Sequence, residues 1–148
     1  MKATDLLKKQ HKEVKALFKK IENTEGARER RRLMNEISIA LEGHTAIEEE
    51  MFYPAIRNVT GCGSRVDDAY HEHQTVKDLL YQMTSIDPVS EEFDQKLAEL
   101  KDAVIHHVEE EESEMFPRVE QRMASLELED FGRRMHERKT NLKNEKAA

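Results

Sequence analysis

A pattern that occurs twice constrains this chain more than anything else in it. His44 is followed four residues on by Glu48 and ten on by Pro54, and His107 is followed by Glu111 and Pro117 at the same offsets. A lone histidine precedes each pair, His11 by 33 residues and His73 by 34. Each lone histidine is followed by similar residues, Val14 with Leu17-Phe18 in one half and Val76 with Leu79-Leu80 in the other. Spacings of three, four and seven put side chains on one face of an α-helix. Each half of the repeat therefore reads as two helices, and the repeated region as four.

The apolar residues fall on the same faces. A first helix, capped by Thr4 or Asp5, carries Leu7, His11, Val14, Phe18 and Ile21 and stops at Asn23-Thr24-Glu25-Gly26. A second, over Ala27 to Asn58, carries Leu33, Ile37, Leu41, His44, Glu48, Met51 and Ala55, and Pro54 should kink or end it. After Gly61-Cys62-Gly63-Ser64 a third runs to about Ser85 with Val66, Ala69, His73, Val76, Leu80 and Met83. Ser90 opens a fourth with Phe93, Leu97, Leu100, Val104, His107, Glu111 and Met115, which closes or kinks at Pro117.

Short connections make sequential helices antiparallel neighbours. The expected fold is thus all-α, an up-down-up-down four-helix bundle over 1–122, with a helical extension over 123–148. That extension carries Leu128, Phe131, Met135 and Leu142 at helical spacing. It offers a surface for a second copy or another protein, or a cap for the bundle.

In such a bundle the stripes share one interior, so four imidazoles and two carboxylates converge there. An unpartnered buried carboxylate costs several kcal/mol or more, and a cation removes that cost. Taken singly, a histidine on an apolar stripe is more often a hydrogen-bonded core residue. Six such groups at matching offsets in two halves argue for ligation. His11, His44, Glu48, His73, His107 and Glu111 are the candidate metal ligands, supplying two nitrogens and two carboxylate oxygens to each of two metals. An oxo, hydroxo or water bridge adds a fifth ligand and leaves a position for a small molecule such as dioxygen or peroxide.

The remaining residues receive blander readings. Glu109, Glu110, Glu112 and Glu114 read as a solvated face. His71 and His106 adjoin stripe positions but point aside, and His136 belongs to the surface. Tyr70, three residues before His73, is a weaker candidate for a hydrogen bond to the centre. Met51, Met83, Met115, Phe18 and Phe93 fill the core. Cys62, the single cysteine, reads as a loop residue in a reducing compartment.

Composition excludes other classes. The 148 residues suit one domain, and 5 Gly, 3 Pro and no Trp beside 37% charged residues suit long amphipathic helices. A net charge of −7 lacks the positive excess that binding nucleic acid requires. No apolar run approaches a membrane span, and Met1 to Lys15 lacks the apolar region of a secretory signal, so a cytoplasmic protein is expected.

The motifs Gln10-His11-Lys12-Glu13, His44-x-x-x-Glu48 through Pro54, Glu72-His73-Gln74 and His107-x-x-x-Glu111 through Pro117 resemble the hemerythrin-like family over about Asp5 to Val119. The resemblance implies a four-helix bundle around a non-haem di-iron centre, held by the six residues named above. Imidazole and carboxylate ligands alone would suit manganese or zinc as well; the resemblance selects two iron ions. Oxygen-carrying hemerythrins have a further histidine one turn away on the third helix, where this chain has Ala69 and Lys77. They also place Asp five residues after the fourth-helix histidine, where this chain has Glu111 at four. The resemblance therefore implies a reaction with peroxide, dioxygen or nitric oxide, foremost peroxide decomposition or an oxidative-stress response. The competing expectation is a sensor of oxygen or iron without turnover.

Overall fold

The structure, a computed structural model, describes residues 1–59 and 61–147 and contains only helices and their connections among them. Helix α1 spans Ala3–Glu22. Helix α2 spans Ala27–Ile47 and continues through a π-helical turn, Glu48–Phe52, into the short α3, Tyr53–Ile56. Helix α4 spans Gly63–Met83. Helix α5, Glu91–Glu110, continues through a second π turn, Glu111–Met115, into α6, Phe116–Arg122. Helix α7 covers Ser125–Ala147. The first four rods form the expected bundle, and α7 packs on α1 and α2.

The ends of the helices have local causes. Ser90 caps α5 as its spacing predicts, its hydroxyl oxygen accepting from the Phe93 N–H at 3.1 Å. At α1 the expected cap is displaced, because the helix begins at Ala3 behind Lys2 without a side-chain cap. Thr4 is instead buried and donates its hydroxyl to Glu120 Oε1 at 2.8 Å across the bundle.

Pro54 and Pro117 neither end nor sharply break their helices. Proline cannot donate to the carbonyl four residues back, and its ring collides with that carbonyl. One wide turn relieves the collision: the Tyr53 N–H bonds Glu48 O and the Phe116 N–H bonds Glu111 O, each five residues back. The extra residue shifts the phase of everything beyond it. Met51 is consequently only half-buried and Ala55 exposed, contrary to the regular stripe, while Phe52, Tyr53 and Ile56 face inwards.

The core has two apolar clusters. One gathers Leu7, Ile47, Phe52, Tyr53, Ile56, Val66, Met115 and Phe116 with Leu128, Phe131 and Met135 of α7. The other gathers Val14, Phe18, Ile21, Ile37, Leu41, Val76, Phe93, Leu100 and Val104. Fully burying a side chain of this kind contributes about 1.5–3 kcal/mol.

Each end of the bundle is fastened. At the second cluster, Arg30 is buried and donates to Pro88 O at 2.7 Å, Thr24 O at 2.9 Å and Asp94 Oδ1 at 2.6 Å, joining two interhelical connections. At the first, Gly132 of α7 lies against the backbone of Met1, Lys2 and Ala3 so closely that no Cβ fits. No helix among the described residues is long and apolar enough to cross a membrane.

Candidate metal centre

Between the two clusters lies a polar layer. His11, His44, Glu48, His73, His107 and Glu111 all reach it and all are buried. They form two groups: His11, His44, Glu48 and Glu111 bring one ligand-type atom each within 4.8 Å of one another, and so do Glu48, His73 and His107. The Nε2 atoms face inwards. His11 Nε2 stands 3.1 Å from Glu111 Oε1, His44 Nε2 3.1 Å from Glu48 Oε1, and His73 Nε2 3.0 Å from the same Glu48 oxygen. His107 Nε2 lies 3.3 Å from Glu111 Oε2. The two glutamates therefore span both groups.

Outward-facing Nδ1 atoms are anchored by a repeated device. Glu49 Oε2 meets His73 Nδ1 at 2.7 Å, and Glu112 Oε2 meets His11 Nδ1 at 2.7 Å. Gln10 Oε1 meets His44 Nδ1 at 2.6 Å, and Glu72 Oε1 meets His107 Nδ1 at 2.8 Å. The residue after each inner glutamate thus holds a lone histidine, and the residue before each lone histidine holds the next helix's histidine. Such contacts fix ring orientation and leave Nε2 free as a ligand. Glu112 belongs to this layer rather than to a solvated face.

Charge follows these partners. Burial works against a charged His107, but Glu111, and then Glu48 and Glu72, outweigh it and hold its pKa well above the ordinary value. His11 is raised in the same manner, burial being outweighed first by Glu111. His44, whose outer partner is a neutral amide, is lowered by burial despite Glu48.

A phenol joins the layer that periodicity did not select. Tyr53 donates its hydroxyl to Glu111 Oε2 at 2.5 Å and lies 3.2 Å from His73 Nε2 and 3.3 Å from His107 Nε2. Burial, followed by the charges of Glu111 and Glu48, raises its pKa well above the phenol range, so it stays protonated. Tyr70 packs edge-on against Tyr53 and sends its hydroxyl to Glu49 O at 3.3 Å. His71 and His136 are exposed, and His106 sits at the rim beside Glu72 and Glu110. Cys62 lies in the turn before α4, as expected, and is buried in the first apolar cluster.

Whether these residues fit a cation is decided by the hydrogen-bond inventory. His11 Nε2, His44 Nε2, Glu48 Oε2 and Glu111 Oε1 are enclosed yet make no hydrogen bond, since the 3.1 Å approaches of the two imidazoles to carboxylate oxygens bring charge attraction without hydrogen-bond geometry. Leaving such an atom unsatisfied costs about 1–3 kcal/mol, more where it is charged. Four of them in one layer make a donor set of imidazole nitrogens and carboxylate oxygens suited to a divalent metal.

The hemerythrin HHE cation binding domain profile matches residues 2–119. This chain belongs to that family. A crystal structure of a hemerythrin HHE cation binding domain-containing protein from Mycobacterium kansasii is similar at a TM-score of 0.85 and 28% identity, covering 95% of this chain and 86% of that one. An uncharacterized protein of Mycobacterium tuberculosis is 28% identical over 137 residues, 91% of this chain and 83% of its own length. A DNA nickase of Nostoc sp. is 29% identical over 131 residues, 88% of this chain, and the chain spans 37% of that relative's length. The protein is thus a hemerythrin-like cation-binding protein with a buried His/Glu site.

Proposed function

We propose that this hemerythrin-like chain holds two iron ions through His11, His44, Glu48, His73, His107 and Glu111 and decomposes peroxide. The reading is supported by the buried atoms of His11, His44, Glu48 and Glu111 that make no hydrogen bond, beside a second set of Glu48, His73 and His107, so that each set holds two imidazoles and Glu48 belongs to both, while Glu111 approaches the second set at His107. Two adjacent irons, when bound, supply the paired one-electron changes that reduction of one peroxide to water and oxidation of a second to dioxygen require.

The chain's own residues do the rest. Glu49, Glu72, Glu112 and Gln10 lock the imidazoles so that loading needs little reorganisation. Tyr53 keeps its own proton and donates it in a hydrogen bond to Glu111. On the side of the second apolar cluster, a cavity of about 20 Å³ is walled by the four histidines with Val14, Leu41, Val76, Val104 and Val108. A cavity of that size beside the histidines suits a small molecule and not a bulky substrate.

Sustained dioxygen release from peroxide by the iron-loaded protein, lost in Glu48→Ala, is the expected result. No turnover by protein shown to contain iron would refute it. A second reading, sensing without turnover, is favoured by one contact chain: Tyr53 packs on Phe52 at 6.0 Å between ring centres, and Phe52 on Phe131 of α7 at 6.3 Å. It predicts that iron loading changes protease cleavage of α7 while peroxide is not consumed.

A further inference from the structure

Glu72, His106 and Glu110 each stand one residue before His73, His107 and Glu111. A step of one residue turns a helical side chain by about 100°, which carries this set from the interior to the rim. There it converges again: Glu72 Oε2 lies 3.3 Å from His106 Nε2, which lies 3.1 Å from Glu110 Oε1. Ligands bound at about 2.0–2.2 Å around one cation stand roughly 3.0–3.6 Å apart. The side chains of His106 and Glu110 are 64% and 43% exposed, which leaves room for water ligands.

Two further observations tie this rim set to the buried layer. The Glu72 carboxylate is shared, since its other oxygen accepts from His107 Nδ1 at 2.8 Å. A cavity of about 10 Å³ is lined by Glu72, Glu110, Ala69, Met115 and Arg65, and also by the buried Glu111. The guanidinium of Arg65 is itself neutralised by an ion pair with Glu114. In the other half of the repeat the corresponding residues are Gln10, Gly43 and Ile47, so symmetry of the fold does not require the rim set.

We propose that Glu72, His106 and Glu110 form a surface site for a divalent cation from which the buried centre is loaded, with Glu72 and Glu111 as successive carboxylates along the route. This rests on the reading that the buried layer holds metal. The site needs nothing from the redox state of the ion, so cobalt(II), whose visible absorption reports ligation, serves as the probe.

The test compares the full-length apoprotein with a His106→Ala/Glu110→Gln variant, both changes lying at exposed positions outside the buried ligand set. With excess cobalt(II) the variant is expected to bind roughly one equivalent fewer and to develop the buried-site spectrum about tenfold more slowly, with the same final spectrum and helical content. An equal number of equivalents, or an equal rate, overturns the inference while leaving the buried centre standing. If the unaltered apoprotein takes up no cobalt(II), both the inference and the reading it rests on fail.

Discussion

Each imidazole in the buried layer has a different task for each nitrogen, and the residues that enforce this are neighbours of the ligands in sequence. Glu112 fixes His11 through Nδ1, whereas Glu109, three residues before it, is exposed and offers the centre nothing. Glu112→Ala is therefore expected to weaken metal affinity about 10–100-fold, and Glu109→Ala to leave it unchanged, in competition with a chelator. The same logic gives a pH dependence. His107 in the apoprotein has a pKa raised well above its ordinary 6.5, so its stabilising contribution is complete below 6.5 and is lost as pH climbs through the raised value. A metal held by His107 would need that imidazole neutral. The gain in Tm on loading should therefore grow as pH rises above 6.5, and proton release on loading should accompany it; a gain that shrinks with rising pH would contradict the assignment.

At the scale of elements, the stripes were legible and their interruption was not. Val14, Phe18, Leu41, Val76, Leu100 and Val104 all lie where a regular helix puts them, because apolar burial selects one face and the period is fixed. The inner His and Glu positions follow from the same period. Tyr53 does not, since five regular residues beyond Glu48 place a side chain about 140° away from it. The π turn absorbs one residue and brings the phenol back inside, and the only sequence trace of that turn is Pro54, repeated as Pro117, inside an otherwise continuous helix. The outer partners were hidden for another reason: Glu49, Glu72, Glu112 and Gln10 act on histidines of other helices, which helical spacing within one segment cannot reveal. Arg30 also acts between elements. Removing it as Arg30→Ala leaves the carbonyls of Thr24 and Pro88 without a donor and should cost about 2–4 kcal/mol, read as a lower Tm with metal content unchanged.

For the whole molecule, the arrangement is a polar layer between two apolar clusters, with α7 closing one of them. Such a layer is costly when its carboxylates and imidazoles face one another without a cation, so metal binding and folding share one free-energy balance. Bound metal would stabilise the native state by mass action, in addition to the clusters, the Arg30 latch and the Gly132 contact. The family and fold establish a cation-binding bundle, and what occupies its polar layer decides what the bundle does. Metal analysis and anomalous diffraction at the iron edge, on protein purified without added metal, would identify that occupant. Two adjacent iron peaks per chain are expected, one beside Nε2 of His11 and His44, the other beside Nε2 of His73 and His107, with Glu48 and Glu111 touching both. A single peak, or a folded protein with no metal in this layer, would contradict the two-iron assignment.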